Sequence, residues 1–162
     1  MKKLLSSVFA AALLLATLAG CTSNPAAALT GEELAAIINE NGGEMAEYNP
    51  AAALDGDDAN VSDFMQWQGW DAASFESGAL SVSLMNVQAY AIAVVKPADG
   101  QKDTVLKYLA DYQTQTESSF DKYLADQYEI AKNAVTKEVN GYIVFVMAEN
   151  ADSIAAGIAA KL

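Results

Sequence analysis

Apolar residues in this chain come first as a block, then at helical spacing, and then in alternation. The block runs from Leu4 to Leu18, broken only by Ser6, Ser7 and Thr17. It is short for a bilayer span, which takes about 20 apolar residues, and it fits the apolar core of an export leader. Thr30-Gly-Glu-Glu33 has capping-box spacing, with a hydroxyl at the N-cap and a carboxylate three residues on. Leu34, Ile37 and Ile38 then put an apolar face on a helix that stops at Gly42-Gly43. Residues 44 to 63 contain Pro50, Gly56 and the acidic run Asp55, Asp57, Asp58, and read as a loop. Phe64, Trp67, Trp70 and Phe75 follow in a short helical or irregular segment.

From Ala79 the period is two. Leu80, Val82 and Leu84 alternate with Ser81, Ser83 and Met85, as in a half-buried strand. Ala89 to Lys96 is a second, more apolar strand, ended by Pro97-Ala-Asp-Gly100. Helical spacing resumes with Val105, Leu109, Tyr112, Phe120 and Tyr123 on one stripe, and Tyr128 and Ile130 occupy a further short helical turn. Residues 134 to 139 and 142 to 147 form strands joined by Asn140-Gly141, a strong hairpin signal. Ile154, Ile158 and Leu162 recur every four residues in a closing helix. The expectation is one α+β domain over residues 30–162, with about four mostly antiparallel strands and the helices packed on one face. Two successive hairpin-then-helix units hint at an internal repeat without establishing one.

The first block changes meaning beside its flanks. Lys2 and Lys3 precede it, and Leu18-Ala19-Gly20-Cys21 closes it, resembling the lipobox read by lipoprotein signal peptidase. Residues 1–20 are then a removed leader, Cys21 is lipidated, and 21–29 is a tether. The protein is expected to be lipid-anchored at the outer, extracytoplasmic face of the cell membrane. All 21 acidic residues follow Cys21, against seven of the nine lysines, a net of about −14 in the mature chain. Phosphate backbones repel such a body, so nucleic acid is not an expected partner. Histidine and arginine are absent and Cys21 is the only cysteine. That removes imidazole bases, thiolate nucleophiles, disulfides and guanidinium clamps.

Tyr123 to Ala134, then Asn140-Gly-Tyr-Ile-Val-Phe-Val-Met147, and the earlier Tyr90 to Pro97 run resemble an uncharacterised lipoprotein domain family of Gram-positive bacteria, a domain of unknown function. The resemblance spans roughly Phe64 to Lys161. It implies the address and an α+β fold but no activity. This chain has Ala125 where the family usually has proline.

Candidate chemistry is sparse. Counted from Asp55, the sixth and twelfth positions of an EF-hand fall on Asn60 and Gln66, so the calcium pattern fails and no metal or cofactor is expected. Asp121, Asp126 and Glu129 could divide acid and base roles, as in glycosidases. Lys132 and Asn133 suit a helix C-terminus. Trp67 and Trp70, three apart, would share a helix face: exposed, a binding platform; buried, a core patch. At least one is expected in the core. The leading expectation is a non-enzymatic module binding a protein or small ligand outside the cell; the alternative is a carboxylate-dependent hydrolase acting on carbohydrate or peptidoglycan.

Overall fold

The central strands of the sheet are apolar on both sides, and that decides the architecture. A computed structural model describes residues 28–162; the segment expected as a leader, Cys21 and most of the segment expected as a tether lie outside the described residues. Five antiparallel strands, β1 (Ala52–Ala53), β2 (Phe75–Val82), β3 (Ala91–Pro97), β4 (Val135–Val139) and β5 (Tyr142–Met147), stand in the order β1-β2-β3-β5-β4. Along β3 and β5 every residue from Ala91 to Val95 and from Tyr142 to Met147 is buried. Such strands must be covered on both faces.

Six helices provide the cover: α1 (Gly31–Asn41), α2 (Glu44–Tyr48), α3 (Ala59–Gln68), α4 (Lys102–Phe120), α5 (Ala125–Lys132) and α6 (Ala151–Ala159). Leu34, Ile38, Ala155 and Ile158 of α1 and α6 pack on Ile92, Val94, Val144 and Val146. Residues of α3, α4 and α5 pack on the opposite face with Ala91, Ala93, Ile143 and Phe145. The α+β single domain expected from the sequence is therefore right, but its helices cover both faces rather than one. The strand count is five because β1, two residues long, pairs with Ala79 and Leu80. The helices that follow the two hairpins lie on opposite faces, which a repeated unit would not do.

Local chemistry explains the boundaries. Thr30 and Glu33 form the reciprocal capping box of α1. The segment expected as a loop instead holds α2, β1 and the start of α3. There the Asp58 carboxylate accepts from the Val61 N–H at 3.0 Å, so part of the acidic run is an N-cap. The strand expected at Ala79 begins at Phe75, since the polar Glu76-Ser-Gly78 run masked its first half. It stops at Val82, and Leu84 and Met85 are exposed in the turn that follows. Asn140 and Gly141 have φ of 50° and 85°, both positive as a type I′ hairpin requires. Tyr123, expected on the buried stripe, lies past the end of α4 and is 76 % exposed. Ala125 opens α5 at the first helical position, where proline is well suited.

Candidate functional site

One end of the sheet is open. β2 and β5 end there and β3 begins, with Ala91 paired to Val82 and to Met147. Between these strand ends, the α1–α2 junction, α5 and the start of α6 lies a cleft of about 420 Å³. Met45, Ala89, Ile130 and Ile154 give it apolar walls, and Glu44, Gln88, Gln127 and Glu149 give it polar ones. A shallower depression continues past Ile130 toward Glu129 and Asp152. The volume falls in the range of small-ligand sites.

Hydrogen bonds hold the walls. The Ala89 N–H donates to Gln127 Oε1 at 2.9 Å, tying α5 to the start of β3. Gln127 Nε2 donates to Asp126 Oδ2 at 3.1 Å, and that bond holds the exposed Asp126 carboxyl below its usual pKa. Behind the cleft, Tyr90 Oη lies 2.8 Å from Ser81 Oγ, which donates to the Asn49 carbonyl. Ser81 has one hydroxyl proton, so Tyr90 is the donor to it. This relay fastens the segment after α2 to the sheet. Burial raises the Tyr90 pKa, against the opposing effect of its Ser81 hydrogen bond.

The rim is apolar. Among the described residues six large apolar side chains are exposed, and five sit on segments that line or adjoin the cleft. They are Tyr48 at the end of α2, Leu84, Met85 and Val87 in the turn leading to Gln88, and Tyr123 between α4 and α5. Nothing in the alternation of Leu80 to Leu84 announces this, because it reads as a strand that should continue. The usable signal was the stop at Asn86, just before the second strand.

Trp67 and Trp70 are not brought together. The helix ends at Gln68, and Gly69, with φ 66°, turns the chain in the left-handed region. Trp70 is thereby folded into the core at 7 % exposure while Trp67 stays on the surface at 66 %. The shared helix face expected for them does not exist. Asp121 caps α4, Asp126 bonds Gln127, and Glu129 pairs with Lys132 at 3.6 Å. With its pKa lowered, Asp126 is ionised at neutral pH and has no proton to donate as a general acid. Asn133 does close α5, through Nδ2 donating to the Glu129 carbonyl at 2.7 Å, but with φ −94° rather than in the left-handed region. Among the described residues no three acidic, histidine or cysteine side chains group as a metal site, and no helix is long and apolar enough to cross a membrane.

Residues 55–148 match a family model described as a domain of unknown function, DUF4358. The chain belongs to this family. No curated protein and no solved structure matches it. The matched DUF4358 segment contains α3, α4, α5 and the strands β2 to β5, whereas α1 and α6 flank it. Both flanking helices cover one whole face of the sheet, so the folded unit is larger than the matched segment.

Proposed function

We propose that this DUF4358 protein is a non-enzymatic binding lipoprotein of a Gram-positive cell envelope, anchored through Cys21 and presenting its cleft away from the membrane. The observation that carries the proposal is where the chain enters the domain. The Leu29 N–H donates to Tyr142 Oη at 2.7 Å. Tyr142 begins β5 and pairs with Val139, at the sheet end opposite Met147 and the cleft. A strand advances about 3.3 Å per residue, so the length of the sheet separates Leu29 from the cleft. Lipid on Cys21 would hold one end at the bilayer and leave the other facing outward.

Two measurements test this. Cys21→Ser should abolish lipid labelling and release the protein from the membrane fraction. On intact cells, Val87→Cys at the cleft rim should react with a membrane-impermeant maleimide. A Cys21→Ser variant that stays lipid-labelled overturns the anchor, and a protected Cys at position 87 overturns the orientation.

A further inference from the structure

We infer that the cleft holds a lysine or arginine side chain presented by an apolar segment of a partner protein. The inference rests on the reading of this end as the binding end and adds the chemistry of what binds. Its first basis is charge. Neither depression at this end is lined by a lysine, although both are lined by carboxylates. Glu129 and Asp152, in the outer depression, have Lys132 and Lys137 at 3.6 Å. Glu44 and Glu149, at the cleft, have no cationic partner among the described residues. Two exposed carboxylates at the mouth of a cleft that no lysine lines make it complementary to a cation from outside.

The second basis is the apolar wall. A bare inorganic cation gains nothing from Met45, Ile130 and Ile154. A lysine or arginine side chain does, because its methylene stem packs on apolar surface while its head reaches a carboxylate. Leu84, Met85 and Val87, exposed beside Gln88, then offer apolar contact to the residues flanking that cation. A second copy of this chain fits poorly, since a net charge of about −14 on the mature chain makes copies repel. An anionic membrane surface is repelled by the same carboxylates, and this end points away from the anchor.

The test uses the full-length lipidated chain in phosphatidylcholine nanodiscs at low salt. The probes are three pools of fluorescent, end-blocked pentapeptides whose centre is Lys, norleucine or Glu, with Leu, Val, Thr and Ser at the flanks. The Lys pool should bind about tenfold tighter than the norleucine pool, and the Glu pool weakest. In the double variant Glu44→Gln/Glu149→Gln, exposed changes that keep size and polarity, the Lys advantage should shrink to about twofold or less. Equal binding of the Lys and norleucine pools, with shifts in the Ala89 and Ile130 amide resonances, overturns the cation and leaves the cleft as a binding site. An advantage that survives the double variant also overturns the assignment. If no pool moves those resonances, both this inference and the binding role of this end fall. Self-association that blocks the peptides names a second copy as occupant and overturns it too.

Discussion

On the face covered by α3, α4 and α5, the start of β3 offers little bulk: Ala91 and Ala93 line it, with Ala89 just before the strand. Rings fill the space. Phe64 meets Trp70 edge-on at 5.2 Å and Tyr112 at 5.0 Å, and Trp70 stacks on Tyr108 at 5.9 Å. On the face covered by α1 and α6 the division reverses. Ile92 and Val94 of β3, with Tyr90 just before it, supply the bulk, and the helices answer with small residues, Ala35, Ala151 and Ala155, beside Leu34, Ile38 and Ile158. One face is held by non-local aromatic contacts and the other by aliphatic packing around a buried hydroxyl relay. Bulk on one side is matched by smallness on the other, which is how close packing is reached across a sheet. The two faces should therefore fail differently.

The largest failure should come from the aromatic face. Trp70→Ala removes a ring that touches Phe64, Phe75 and Tyr108 and should cost about 3–5 kcal/mol by chemical denaturation. A loss below about 1 kcal/mol would mean that the rings are not what holds this face.

Alkali separates the faces next. Burial on the aromatic face pushes the Tyr112 hydroxyl up to about 12, against about 10 in an unfolded chain. The native state thus keeps a proton that the unfolded state loses. Stability is fully present below pH 10 and falls between pH 10 and 12, by at most about 1.4 kcal/mol per pH unit for this one group. Tyr112→Phe should flatten that fall when denaturant midpoints are measured from pH 9 to 12. An unchanged slope would show that Tyr112 does not titrate late. Tyr90 on the other face, raised in the same direction, contributes a fall of the same sign that Tyr112→Phe leaves in place.

The aliphatic face should break at its polar relay. Ser81→Ala leaves the buried Tyr90 hydroxyl without its acceptor and the Asn49 carbonyl without that donor, at a cost of about 1–3 kcal/mol. Tyr90→Phe removes one hydrogen bond but strands no buried donor, and should cost less, about 0.5–1.5 kcal/mol. If Tyr90→Phe proves the more damaging, the donor order drawn here is reversed.

This contrast also shows what was legible in the sequence. The hairpin at Asn140-Gly141, the capping box at Thr30 and the stripes of α1 and α4 were readable because each is local. The double cover was present too, since Ala89-Tyr-Ala-Ile-Ala-Val-Val95 alternates small with large rather than polar with apolar. Read as hydrophobic against polar it is a plain run, so the helices were expected on one face. Ser81 misled in the same way: an alternating serine suggests solvent, yet it is buried because Asn49 and Tyr90 satisfy it. The cleft was not legible. Its walls come from the α1–α2 junction, α5 and the start of α6, and only the strand order brings these together.

The smallest expected effect belongs to Trp67, and it sharpens the comparison most cheaply. Trp67 and Trp70 differ in sequence only by Gln68 and Gly69 between them, yet one is two-thirds exposed and the other is core. The cause is the helix end: Gly69 takes a left-handed conformation and the Trp70 N–H donates to the Met65 carbonyl, which swings Trp70 under the aromatic face. Trp67 remains on the last turn of α3, pointing outward. Trp67→Ala should thus change stability by no more than about 0.5 kcal/mol, about a tenth of the Trp70 effect. Fluorescence gives the independent reading. The Trp67→Ala protein should emit in the blue and resist iodide, and the Trp70→Phe protein should emit as an exposed indole and quench readily. Equal quenching of the two single-tryptophan proteins would place both rings in one environment and undo the turn at Gly69.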